Sequence, residues 1–209
     1  MKIGVLSLQG GVIEHINAIL SLGYDALEVK NLNQLKNIDA LIIPGGESTT
    51  IGKLLRVTGL FNPLKEMIQE GLPVWGTCAG MILLAKNIEN EENYHLGVMD
   101  ITVKRNGYGT QLDSFNTKLL IEEVSTSPID LVFIRAPYIT TVNSDDVHIL
   151  AKINNDIVAV RQNNMLATSF HPELTTDTSF LKYFIEKVAH NWIILRIKAL
   201  MPWCRKLMI

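Results

Sequence analysis

Two short segments carry residue types that could perform covalent chemistry. Gly76-Thr77-Cys78-Ala79-Gly80 follows a compact apolar run and precedes a helix-like stretch, the layout of a nucleophile elbow. The flanking glycines tolerate a tight turn, and a cysteine held there in a strained conformation exposes its sulfur above the sheet. The N-terminus of the following helix points at that sulfur and favours thiolate over thiol. The backbone N–H of Ala79 is then free to serve as an oxyanion donor. His171-Pro172-Glu173 stands at the end of another apolar run, Leu166 to Phe170. In an extended segment residues two apart share a side, and Pro172 keeps the segment out of a helix. Glu173 can therefore hold one imidazole nitrogen while the other faces a nucleophile, the logic of an acyl-transfer triad. A free cysteine is more often an inert core residue, and a lone His-x-Glu is more often a surface pair. Together, at two strand ends, the segments outweigh both readings. His15 and His190 are expected on exposed helix faces, and His95 and His148 lack comparable settings.

The elements around these segments place them. Ile3 to Leu8, Ala26 to Val29, Ala40 to Ile43 and Leu72 to Trp75 read as strands. Helical patterns intervene, among them Val12, Ile16, Ile19 and Leu20 on one face and a stretch opening near Ser48. Alternation of this kind implies βαβ units and a largely parallel sheet covered by helices on both faces. Ligands bind such sheets beyond the carboxyl ends of the strands, where Gln9-Gly10-Gly11, Pro44-Gly45-Gly46 and the Cys78 turn all fall. The second half reads as more antiparallel: Asp100 to Lys104, Leu131 to Ile134, His148 to Ile153, Ile157 to Arg161 and Leu166 to Phe170. Asn154-Asn155-Asp156 forms a hairpin turn, and a terminal helix begins near Asp177.

Bulk properties narrow the class. A chain of 209 residues, 47% hydrophobic and 19% charged, suits one sizeable α/β domain. A formal net charge of -2 speaks against a nucleic-acid partner. Cys78 and Cys204 are far apart, without disulfide or metal-type spacing, and no leader is read at the start, so a cytoplasmic setting is expected.

The two segments together resemble the class I, triad-type glutamine amidotransferases. Leu8-Gln9-Gly10, Glu14-His15, Pro44-Gly45-Gly46-Glu47-Ser48-Thr49, Arg105-Asn106 with Asp113-Ser114-Phe115, and Ile134-Arg135-Ala136-Pro137 are together similar to the glutaminase subunit of pyridoxal 5′-phosphate synthase. The resemblance spans roughly residues 2 to 190. It implies a three-layer αβα domain with a central mixed, mainly parallel sheet, and Cys78, His171 and Glu173 as catalytic residues. It implies that Gly46, Glu47 and Ser48 line a glutamine pocket, that Arg105, Ile134 and Arg135 surround the amino-acid end, and that the Gly46 and Ala79 N–H groups form the oxyanion hole. A guanidinium suits a carboxylate in bidentate fashion. The bland alternatives are a helix cap at Glu47-Ser48 and surface ion pairs for each arginine.

The same resemblance implies hydrolysis of L-glutamine to L-glutamate and ammonia, with no metal or organic cofactor. The ammonia would pass to a (β/α)8 synthase subunit that joins it to a pentose phosphate and a triose phosphate. Docking would activate the glutaminase, with the Gln9-Gly10 turn and first helix as the contact surface. The chain could instead serve another synthase, such as that of imidazole glycerol phosphate, though the PGGEST and IRAP segments speak against it. A cysteine peptidase or chaperone-like protein of similar fold is the reading from another class, and a binding module without activity is the weakest. Gly11 stands where the family often has alanine, loosening the start of the first helix. Residues 191 to 209 form an atypical apolar and basic tail beyond the amidotransferase domain of residues 1 to 190, with four basic residues and no acidic ones. Membrane contact through it is not expected. A packed helix, a partner contact and an artificial or frame-shifted tail stay open, and neither the tail nor Cys204 is assigned a function.

Overall fold

The computed structural model describes residues 1–91, 95–107 and 114–190. The tail 191–209 and Asp113 of the Arg105-to-Phe115 motif therefore lie outside the described residues. The chain opens with β1 (Lys2–Leu6), α1 (Val12–Ser21), β2 (Asp25–Val29), α2 (Leu32–Lys36), β3 (Ala40–Ile43), α3 (Ser48–Val57) and α4 (Phe61–Gln69). There follow β4 (Val74–Thr77), α5 (Ala79–Leu84), β5 (Ala85–Ile88), β6 (Met99–Lys104), β7 (Ser114–Leu119), β8 (Ile129–Ile134) and β9 (Tyr138–Val142). β10 (Val147–Ile153), β11 (Asp156–Gln162), β12 (Met165–Thr168) and α6 (Ser179–Tyr183) complete it, α6 running on as a π-helical stretch over Phe184–Ala189.

The main sheet has the order β2-β1-β3-β4-β12-β11-β9-β6-β5, with β10 paired to β11. Pairing is parallel from β2 through β12 and antiparallel among β12, β11, β9 and β6, as it is between β10 and β11. β5 returns to parallel against β6. β7 and β8 form a separate two-stranded ribbon.

Strand periodicity builds the layers. In β3, Leu41 and Ile43 enter a core shared with α2, α3, α4 and α5, while Ala40 and Ile42 enter a second core shared with α1 and α6. Both faces of the strand are buried, which is why it reads as an uninterrupted apolar run. The result is the expected αβα sandwich.

Three strands depart from the sequence reading. The helix expected to reach Ala85 ends at Leu84, and Ala85 starts β5; the unbroken apolar run from Met81 to Ala85 carries no periodicity to mark the switch. β7 went unread because its alternation of exposed and half-buried residues leaves only weak apolar patterning, and β9 because only Ile139 in it is fully buried. Leu20 also departs from the expected apolar face of α1, being 54% exposed. The hairpin at Asn154 is as read, with Asn154 at φ 55.

The β4–α5 turn is held by backbone contact. A Cβ on Gly80 would lie 2.2 Å from the Ile43 carbonyl oxygen, and one on Gly76 would lie 2.5 Å from the Gly80 backbone. Neither neighbour is a flexible side-chain end, so α5 packs this closely on β3 only without those methyl groups. Gly80→Ala is expected to cost about 1–3 kcal/mol of stability, read as a lowered denaturant midpoint with unchanged slope.

Candidate active site

Four neighbouring parallel strands bring the chemistry together. In the order β1-β3-β4-β12, their carboxyl ends carry the Gln9 turn, Pro44-Gly45-Gly46, Cys78 and His171. The register of β12 on β4 sets Thr168 beside Thr77, and the Cys78 N–H continues the ladder by donating to the Thr168 carbonyl at 2.8 Å. Two catalytic candidates from opposite halves of the chain are thereby delivered to one spot.

Cys78 has φ 48 and ψ -102, a left-handed conformation that costs a side-chain-bearing residue on the order of 1–3 kcal/mol. Its side chain is buried to 7% exposure, and Sγ lies 4.0 Å from the Ile134 carbonyl. His171 is fixed through its backbone N–H, which donates to the Val132 carbonyl of β8 at 2.8 Å. Its ring covers Gly45 so closely that a Cβ there would fall 2.3 Å from Cε1. Nδ1 lies 2.8 Å from Glu173 Oε1, which leaves Nε2 for the thiol.

The segment carrying the acid is not extended, in contrast to the expectation from sequence. Pro172–Leu174 forms a single 3₁₀ turn with Pro172 at its first position, where a missing N–H costs nothing. Glu173 reaches His171 by this turn.

His15 is a larger correction. It is 2% exposed, three residues after Val12 and four before Ile19, in the middle of the inward stripe of α1. Its Nε2 lies 3.4 Å from Glu173 Oε2 and 3.5 Å from Thr77 Oγ1. A titratable side chain can sit on that face because polar groups wait there to meet it. The i, i+3, i+4 spacing was the signal that could have found it.

Electrostatics separates the two imidazoles. Burial alone would lower the His171 pKa, but hydrogen bonds to Cys78 and Glu173 outweigh it and push it up to about 10. For His15 burial wins over the attraction of Glu173, and its pKa falls below the ordinary value. Burial works to raise that of Glu173, yet His171 and the neighbouring His15 hold it below the usual carboxylate range.

A cleft of about 390 Å³ opens over Cys78 and His171, within the size range of small-molecule sites. Gly46, Glu47, Ser48, Ala79, Arg105, Ile134 and Arg135, all expected from the sequence, line it, whereas Glu173 lies behind His171. Gln9, Ile82, Asn106 and Pro137 line it as well; of these, Ile82 stood outside every motif. Glu47 does cap α3, accepting from the Thr49 and Thr50 N–H groups at 3.0 and 2.6 Å. Burial would raise its pKa, but these bonds bring it down to about 2. Its own N–H donates to Gln9 Oε1 at 2.7 Å. Arg105 holds Glu91 at 2.7 Å through Nε, Thr49 at 3.1 Å through Nη1 and His95 Nε2 at 3.3 Å through Nη2.

This geometry has counterparts in known proteins. A model of the SNO glutamine amidotransferase family matches residues 5–190. The chain belongs to that family.

Among relatives of this amidotransferase is the pyridoxal 5'-phosphate synthase subunit PdxT of Clostridium beijerinckii, 61% identical over 186 residues, 89% of this chain and 97% of that one. The PdxT of Clostridium kluyveri is 58% identical over 185 residues, 88% and 98% of the two chains. A solved glutamine amidotransferase that is 45% identical superposes with a TM-score of 0.83, covering 88% of this chain and 97% of its own. A putative GMP synthase protein from Thermoplasma acidophilum, 19% identical with a TM-score of 0.66 and coverages of 94% and 98%, shares the fold. The family identifies an enzyme of glutamine amide chemistry. Among the described residues no helix is long and apolar enough to cross a membrane.

The shift at His171 is directly measurable. In the free enzyme its imidazole is expected to titrate at a pH of about 10, followed by NMR of labelled histidine. Cys78→Ala removes one of the causes and should move that titration to lower pH; an unchanged midpoint would show that the thiol does not act on the ring.

Proposed function

We propose that this chain is the glutaminase subunit of a pyridoxal 5'-phosphate synthase, hydrolysing L-glutamine with Cys78, His171 and Glu173 and passing ammonia to a synthase subunit. The observation that carries the catalytic part is the contact of His171 Nδ1 with buried Glu173 at 2.8 Å, beside a strained Cys78 in the cleft. The relatives named PdxT support the pathway part, being matched over almost their whole length.

In this reading His171 already carries the proton that Cys78 has given up, and the sulfur attacks the side-chain amide carbon of glutamine. The N–H groups of Gly46 and Ala79 stabilise the oxyanion that forms, a contribution worth about 10²–10³ in rate for a single donor. His171 returns its proton to the departing nitrogen, and ammonia leaves a glutamyl thioester. Water then attacks the thioester, giving its proton to His171, and glutamate is released as the thiol is restored. Glu173 holds the imidazole in the required tautomer throughout. Arg105 and Arg135 receive the substrate carboxylate, and the charged Glu47 stands on the same wall. None of these steps calls on a metal or organic cofactor.

Ammonia released into water is protonated or lost, which favours direct transfer to a bound (β/α)8 synthase. The outer side of α1 suits such a contact, since Ile13 and Leu20 are 58% and 54% exposed there next to the Gln9-Gly10 turn.

Ammonia release from glutamine, measured with and without the synthase subunit, tests the proposal. Cys78→Ala and His171→Asn should each lower turnover by about 10³-fold or more while leaving the melting temperature within a few degrees. Near-wild-type turnover in either purified variant sinks the triad. Equal rates for the isolated chain and the reconstituted complex exclude activation by docking.

A further inference from the structure

Among the described residues, His15 is a buried titratable group that the chemistry above leaves unused. We propose that His15 is a positioning residue for the triad, donating an Nε2–H to Glu173 Oε2 so that Oε1 stays directed at His171. The proposal rests on the reading of Cys78, His171 and Glu173 as the catalytic groups.

The case starts from the acid. The Glu173 side chain is 2% exposed, and its two oxygens are treated differently. Oε1 takes His171 at 2.8 Å. Among the described residues Oε2 has no hydrogen-bond partner of good geometry, yet His15 Nε2 stands 3.4 Å away. A buried carboxylate oxygen without a donor is costly, and a small rotation of the His15 ring supplies one. The carboxylate can only accept, so Nε2 has to carry the proton. Burial keeps His15 neutral, leaving a single N–H for this purpose.

The ring is held for the task. It meets Trp75 edge-on, centroids 6.1 Å apart at 71°. The same Nε2 lies 3.5 Å from the hydroxyl of Thr77, the residue before the nucleophile. One imidazole on α1 thus touches both the strand that delivers Cys78 and the turn that delivers Glu173. The start of α1 passes close to the acid too, since a Cβ at Gly11 would lie 3.2 Å from Glu173 Oε1. The other titratable groups facing this pair are His171 and, from α1 itself, Glu14; Cys78 acts on it through His171.

The test uses the full chain in the presence of the synthase subunit, with His15→Leu to remove the N–H and His15→Gln to keep an amide N–H at similar reach. His15→Leu should lower kcat on the order of tenfold with KM for glutamine unchanged. The acid limb of its kcat/KM profile should move to higher pH, because Glu173 loses a donor that favours its charged form. His15→Gln should recover most of kcat and return the limb toward its wild-type position, which a purely structural role would not produce. A wild-type kcat and acid limb in folded His15→Leu overturn the proposal. Should that variant not fold, nitrogen NMR of the wild-type ring near neutral pH decides: a proton on Nε2 upholds it, and one on Nδ1 overturns it. Cys78→Ala run alongside separates the two ideas, since glutamine hydrolysis by that variant removes the triad reading itself.

Discussion

A carboxylate withdrawn from water is the constraint around which this molecule is arranged. The Glu173 side chain is 2% exposed, and burying such a charge costs several kcal/mol unless partners replace the water. One partner, His171, comes from the same turn, and the other, His15, from the distant α1. The two imidazoles respond in opposite directions to one carboxylate. His171, which also faces a thiol, is pushed up to about 10, while burial pulls His15 down. A single positive charge is therefore placed on the cysteine side of the acid. Groups of one kind forced apart by environment mark acid–base roles, and in the proposed reading the split gives proton transfer to His171.

That arrangement requires backbone in conformations the chain would not otherwise choose. Cys78 at φ 48 and Arg135 at φ 43 both line one cleft. Each is locked by a neighbouring element: Cys78 by its N–H bond to the Thr168 carbonyl, the Arg135 segment by β8, whose Phe133 packs edge-on against Phe170 at 5.7 Å. The β7–β8 ribbon thus has a function in the fold beyond covering a core. Its Phe115 stacks on Phe133 at 4.5 Å, and Val132 carries the carbonyl that fixes His171. Strain in the nucleophile turn and support from the ribbon meet at the imidazole.

The parts of this site that were legible in the sequence are those made by local rules. Gly76 to Gly80 reads as an elbow because glycines flank the cysteine at a strand end, and Pro44 to Ser48 reads as a turn followed by a helix start. Both are short-range patterns. What escaped depends on long-range geometry. His15 carries no local sign of burial except its place in the stripe, and the polar groups that admit it, Thr77 and Glu173, are far away in sequence. Residues Ser114–Leu119 escaped because a half-exposed ribbon strand has only weak alternating signals, and Tyr138–Val142, paired to β11 and β6, because only Ile139 in it is fully buried. The Pro172 turn was misread in shape but not in consequence, since a 3₁₀ turn and an extended segment both let Glu173 meet His171.

The outer half of the cleft follows from a second balance of charge. Arg105 is held at Nε by Glu91, at Nη1 by Thr49 and at Nη2 by His95. Burial and the charges of Arg105 and Arg56 keep the His95 pKa at about 4, so its Nε2 can accept from the guanidinium instead of repelling it. Glu47 stands 3.9 Å from the same Nη1, but its oxygens are occupied by the N–H groups that open α3. It neutralises Arg105 only in part. Arg135, which is exposed, adds a second cation to the lining. In the proposed reading, a lining with one carboxylate and two guanidinium groups suits a ligand carrying both signs at one end. The backbone of a free amino acid has that form, and the corresponding atoms of a residue inside a peptide do not. In the proposed reading, charge around the cleft selects glutamine as a free molecule before the chemistry at Cys78 selects its amide.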